Sequence, residues 1–226
     1  MGAERKPNPG KVFIARHPQS VDGRDRVRPR FEADLSELGW KQAERLAQRF
    51  QELGVKVVLT SDMPRTVATA RVIRSFAGVP FIVIPGAHER RHPQQTLGKS
   101  RSLPEVKEAD VRVRKSWLAG GPRQYDEETL EEFNDRMEWI WAQIEGRSET
   151  KVALLSHGNV ARGMRTYAEH GRFTGEQFFS IADNVLLSNI GVCCFVRDSM
   201  GGRWKLEYWN DETYLANPRL GLVVSS

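Results

Sequence analysis

Apolar residues recur along this chain in two rhythms. Short continuous runs, at Val12 to Ala15, Val55 to Leu59, Phe81 to Ile84 and Val152 to Leu155, have the length and character of buried strands. Between them, apolar positions return at helical spacing. Ala43, Leu46, Ala47, Phe50 and Leu53 mark a helix that Ser36 can cap and Gly54 can stop. Pro64 suits the first turn of a second helix, with Val67, Ala70 and Ile73 on one face. Leu130, Phe133, Met137, Ile140, Trp141 and Ile144 line a long third helix ending near Gly146, and another helix follows Ser156-His157-Gly158-Asn159. The last third predicts strands at Val185 to Leu187, Val192 to Val196 and Leu206 to Trp209, the last two joined by a turn at Asp198 to Gly202. Residues 85 to 127 are weakly periodic and rich in Arg, Pro and Gly. A short helix at Leu103 to Ala109 is the regularity they offer, and the stretch reads as an insertion over one end of the sheet.

Strands alternating with helices predict an α/β fold, a three-layer α/β/α sandwich with a mostly parallel sheet. The closing hairpin predicts an antiparallel edge. The 226 residues fit one domain spanning 1–226, with the insertion at about 85–127. With 39% hydrophobic and 28% charged residues, the composition is that of an ordinary soluble globular protein. No apolar run approaches the roughly 20 residues that span a bilayer, and the start MGAERKPNPGK lacks the apolar stretch of a secretory signal. The only cysteines, Cys193 and Cys194, are adjacent, so on a strand they face opposite ways. Free thiols and a cytoplasmic location are expected.

Net charge is +5, carried mainly by arginine, whose planar fork suits phosphate and carboxylate. No zinc-finger, RNA-recognition or helix-turn-helix signature accompanies it, so nucleic acid is disfavoured and no membrane partner is expected. The cluster Arg24, Arg26, Arg28 and Arg30 is balanced between a solvated basic loop and a substrate-facing one.

Two histidines directly follow strand runs, in Arg16-His17 and in Ser156-His157-Gly158. Ligands of open parallel sheets bind at the carboxyl ends of strands, so two such histidines can converge. A helix opening after His157 adds free N–H groups suited to an anion. After Val55 to Leu59 comes Thr60-Ser61-Asp62-Met63-Pro64-Arg65, which puts an arginine at a helix start on the same edge. Arg65 could instead pair with Asp62 or Glu52. Taken together, Arg16, His17, Arg65 and His157 suggest a pocket for a phosphoryl group, requiring neither metal nor cofactor.

Nearly the whole chain resembles the histidine phosphatase superfamily, also called phosphoglycerate mutase-like. IARHPQS resembles its Arg-His-Gly signature, DLSELGWKQA and LTSDMPRTVATA its two following segments, HER at 88 to 90 its proton-donor segment, DEETLEEFNDRM a helix, LLSHGNVAR its second-histidine motif, and NIGVCCF and YWNDETYL its closing strands. The resemblance implies that His17 attacks phosphorus and carries a phosphohistidine. Arg16, Arg65 and His157 would bind phosphoryl oxygens, and His17, Glu89 and His157 would form the catalytic set. Glu89 would protonate the leaving oxygen and then activate water; the competing reading makes it a solvated residue paired with Arg90 or Arg91, with Glu105, Glu108 and Glu128 as other acids. Three positions depart from the family pattern. Pro18 replaces the usual Gly and lacks an N–H, Gly23 stands about where many members have a phosphate-contacting Asn, and Tyr214-Leu215 replaces His-Leu.

The expected activity is a phosphomonoester phosphatase acting on a phosphorylated small molecule. Alternatives are a phosphoglycerate mutase-type phosphotransferase, which HERRH slightly favours, and a non-catalytic phosphate-binding module. A homodimer is left open.

Overall fold

The computed structural model describes residues 10–197 and 202–215. Its strands are β1 (Lys11–Arg16), β2 (Val57–Thr60), β3 (Phe81–Val83), β4 (Lys151–Ser156), β5 (Val192–Val196) and β6 (Lys205–Asp211). They form one sheet in the order β3-β2-β4-β1-β5-β6. The first four are mutually parallel, whereas β5 runs antiparallel to β1 and β6 antiparallel to β5. The mostly parallel sheet with an antiparallel edge is thus as the sequence predicts. The two central strands, β1 and β4, are almost continuously buried because helices cover both faces.

The helices are α1 (Val21–Arg24), α2 (Glu37–Leu53), α3 (Pro64–Ala77), α4 (Pro104–Ala119), α5 (Leu130–Glu145), α6 (Gly158–His170) and α7 (Gly175–Asn184). Apolar residues of α2 and α3 pack on one face of the sheet, and those of α4 to α7 on the other. Cys193 belongs to one core and Cys194 to the other, so the adjacent thiols do point to opposite faces; both are free. Ser36 caps α2 by accepting from Gly39 N, and Gly54 ends it at φ 68°, a backbone angle that glycine adopts without steric cost. Pro64 takes the first turn of α3, but the buried face there is Arg65, Thr66, Thr69, Ala70 and Ile73, with Val67 only half-buried. No helix of the described residues is long and apolar enough to cross a membrane.

Two expectations need correction. The helix expected at Leu103 to Ala109 runs on to Ala119, because Val106, Ala109, Val113 and Trp117 form one continuous buried face. Arg112, Arg114 and Lys115 interrupt the apolar pattern in sequence but lie outside that buried face. The strand expected at Val185 to Leu187 is absent. That segment is irregular, and side chains occupy its carbonyls: Arg162 takes Val185 O, Trp209 takes Leu186 O and Arg16 takes Leu187 O. Most of the turn at Asp198 to Gly202 lies outside the described residues.

Candidate functional site

The parallel register pairs Arg16 of β1 with Ser156 of β4, so both strands end at one level. His17 and His157 consequently emerge side by side, with ring centroids 5.0 Å apart. On the other flank of β4, β2 pairs Thr60 with Leu155 and delivers Ser61 to His157. Arg65, one residue into α3, reaches between the imidazoles. Its Nε donates to His17 Nε2 at 3.3 Å and its Nη2 lies 3.3 Å from His157 Nδ1. Residues from three stretches far apart in sequence thus meet at one sheet edge.

Hydrogen bonding fixes both imidazole tautomers. A carbonyl oxygen can only accept, so the 2.5 Å contact between His17 Nδ1 and Pro18 O puts the proton on Nδ1. The lone pair is then on Nε2, where Arg65 donates. For His157, the donor Arg65 makes Nδ1 the acceptor, and Nε2–H donates to Ser61 Oγ at 2.8 Å. Ser61 Oγ is 2.7 Å from Thr66 Oγ1, which donates to Met63 O at 2.8 Å. Burial, reinforced by neighbouring guanidinium charge, holds both histidines well below the usual imidazole range. Each is therefore neutral at pH 7. Pro18 lacks the N–H that glycine would offer, yet the group in use at this position is its carbonyl.

The arginines have carbonyl partners in place of carboxylates. Arg16 Nη1 donates to Leu187 O at 2.7 Å, and Arg65 Nη1 to Arg30 O at 3.2 Å. Neither pairs with a carboxylate among the described residues, and the alternative of Arg65 bound to Asp62 or Glu52 is not what forms. Burial pushes both guanidiniums down to about 10, which leaves them charged at neutral pH. Arg65 Nε meets His17 Nε2 directly, the charge of Arg16 also acts on His17, and guanidiniums so placed suit an oxyanion.

Glu89 reaches the same end of the sheet. Its Oε1 accepts from Arg90 N at 2.8 Å and its Oε2 faces Asn159 N, in the first turn of α6, at 3.5 Å. Its charge acts on Arg16 and Arg65. The guanidinium of Arg90 turns away, over the Trp117 ring and toward His92. The other acids are committed elsewhere. Glu105 and Glu108 pair with Lys99 and Arg112 on an exposed helix face, and Glu128 is held by Arg136.

The basic loop separates in the same way. Arg24 pairs with Asp25, Arg28 is buried against Asp110 and His92, and Arg30 pairs with Asp22. It is the backbone oxygen of Arg30, not its guanidinium, that touches Arg65. Gly23 lies on exposed α1, donating to Ser20 Oγ. Two site neighbours were not singled out from sequence. Asn189 donates from Nδ2 to His17 O at 2.9 Å, beside Ile190, whose φ of 57° is strained for a β-branched residue. Arg162 stands one turn along α6 from Gly158. A helical i,i+4 reading from Gly158 could have found Arg162; nothing local marks Asn189.

Comparison with known proteins agrees with this fold. A curated relative, "Probable phosphoglycerate mutase GpmB" of Cronobacter sakazakii, is 28% identical over 170 residues, covering 70% of this chain and 78% of the relative. Among solved structures, alpha-ribazole phosphatase of Shigella flexneri matches with a TM-score of 0.71 at 16% identity, covering 89% of this chain and 96% of that one. A mycobacterial glucosyl-3-phosphoglycerate phosphatase matches with a TM-score of 0.72 at 18% identity, covering 89% and 99%. At those identities the two structures speak for the fold alone. The profile of the histidine phosphatase superfamily (branch 1) matches residues 12–212, and the chain belongs to that superfamily.

Proposed function

We propose that the protein is a phosphomonoester phosphatase working through a phosphohistidine on His17. The observation that carries this reading is the His17 ring. Its Nδ1–H is tied to Pro18 O, and its Nε2 lone pair faces Arg65, with the charge of Arg16 also acting on it, in a water-poor site. That is the state of a nucleophile, not of a proton donor or a core histidine.

The chemistry runs in two displacements. His17 Nε2 forms a bond to phosphorus while the P–O bond to the alcohol breaks. Glu89 gives its proton to the departing oxygen. Arg16 and Arg65 neutralise the equatorial oxygens. His157 is neutral beside the Arg65 cation; an incoming dianion reverses that balance, and a proton taken up at Nδ1 lets it donate to the phosphoryl group. Glu89 then takes a proton from water as water attacks phosphorus, and the P–N bond returns its electron pair to His17. Turnover of simple alkyl and aryl phosphates by the parent, lost in His17→Ala with the fold intact by circular dichroism, is the expected result. Parental rates in that variant would remove the nucleophile from this reading.

The likeness to GpmB favours a second reading, a mutase-type phosphotransferase. The two differ in what accepts the phosphoryl group. Bisphosphoglycerate-dependent interconversion of 3-phosphoglycerate that exceeds phosphate release would support the mutase. Phosphate release unaffected by bisphosphoglycerate supports the phosphatase. Retained phosphate binding without either activity would favour the non-catalytic module.

A further inference from the structure

We propose that Arg162 is the anchor for the alcohol half of the substrate, and that this half carries an oxyanion, a carboxylate or a second phosphate. The proposal rests on the phosphatase reading and adds to it a binding residue and a substrate class.

Three observations carry it. First, the Arg162 guanidinium is held from behind: Nε and Nη2 both donate to Val185 O, at 3.3 and 3.1 Å. Nη1 has no protein partner among the described residues. It lies 3.1 Å from where a Cβ would stand on Gly158, and Arg16 Nε lies 3.9 Å from the same point. Glycine thus leaves open a space that two guanidiniums flank. Second, the direction is toward the acid. Arg162 Nη1 approaches Gly158, whose neighbour Asn159 faces Glu89 Oε2 from its N at 3.5 Å, and Arg162 feels the charge of Glu89. Arg162 therefore stands on the side of Glu89, where the leaving oxygen departs. Third, charge is in excess. Arg16, Arg65 and Arg162 oppose Glu89, which must be protonated to act as donor. Three cations then face a phosphoryl dianion, and the surplus falls on the leaving-group side. Arg101, which also acts on Arg16, adds to it from the exposed loop. The irregular segment Val185 to Leu187 aims both arginines, because Arg16 is tied to Leu187 O as Arg162 is to Val185 O.

The experiment compares three esters: ethyl phosphate, with a neutral alcohol half; phosphoglycolate, with a carboxylate; and ethylene glycol bisphosphate, with a second phosphate. The parent should favour one or both anionic esters, and the favoured one identifies the oxyanion. Arg162→Met should lower kcat/KM for the favoured ester at least roughly tenfold more than for ethyl phosphate, chiefly through KM. Arg162→Lys, which keeps a charge without the fork, should restore part of the discrimination. Affinities of the same esters for His17→Ala, with and without Arg162→Met, measure the anchor without turnover. A parent that hydrolyses none of the esters counts against the phosphatase reading, and this binding arm still decides the anchor. Equal losses on all three esters, or undiminished discrimination in Arg162→Met, would overturn it.

Discussion

Arg65 is buried and Arg136 nearly so, and their surroundings could hardly differ more. Arg136 meets Glu128 through two parallel 2.6 Å bonds, and its Nη1 donates to Gly86 O and His88 O. Every edge of that guanidinium is used by the protein, and the pair ties the loop before Glu89 to α5. Arg65 has two neutral imidazoles, carbonyls and a thioether for company, and burial depresses it. A buried cation with a carboxylate fork is architecture. A buried cation held by carbonyls and without a counter-ion is what the proposed phosphoryl pocket calls for.

Substitutions can break this comparison. Arg65→Lys should lower kcat/KM by about two to three orders of magnitude, since a bidentate fork becomes a point charge, while thermal stability changes little. Parental efficiency in the Lys form would move Arg65 out of the pocket. Arg136→Ala should do the reverse. It strands Glu128 in the interior and should cost about 3–5 kcal/mol of stability, visible as a large fall in Tm. If Arg136→Ala were as stable as the parent, the architectural role would be wrong.

Glu89→Gln should show a smaller, conditional loss. Burst kinetics should reveal a deficit of roughly a hundredfold for alkyl phosphates, whose alkoxide leaves poorly, and a much smaller one for nitrophenyl phosphate. Equal bursts on both in parent and variant would return Glu89 to the role of a loop residue.

The histidines give a pH signature. His17, His92 and His157 are each held below the ordinary value of 6.5 by burial and then by guanidinium charge. The unfolded chain therefore binds more protons than the native one as pH falls below about 6.5. Stability should be fully present above that pH and decline below it, with an uptake on unfolding approaching three protons from this set. Denaturation midpoints between pH 7.5 and 5 measure the slope, and His92→Gln should make it shallower. The smallest effect is expected from Pro18→Gly. The carbonyl that orients His17 is retained, so activity should change by about a fewfold at most.

Much of this was legible in the sequence, for identifiable reasons. The runs behind His17 and His157 are uninterrupted, so the strands and their polar ends stand out, and parallel pairing then brings the histidines together. Arg65 shared that advantage through Pro64. The 85 to 127 stretch resisted reading because α4 buries Val113 and Trp117 among Arg112, Arg114 and Lys115. Val185 to Leu187 misled because its apolar residues mimic a strand, while its carbonyls are spent on Arg162, Trp209 and Arg16. Side chains arriving from distant elements leave no mark in local periodicity, so Asn189 became visible only in three dimensions, whereas Arg162 sits at a helical spacing from Gly158 that the sequence does show.

The central claim is the covalent one. Brief exposure of the parent to a phosphate-labelled nitrophenyl ester, followed by quenching and peptide mapping, should trap an acid-labile label on the peptide containing His17. The label should be absent from His17→Ala. Label on another residue, or sustained turnover in His17→Ala, would contradict the account.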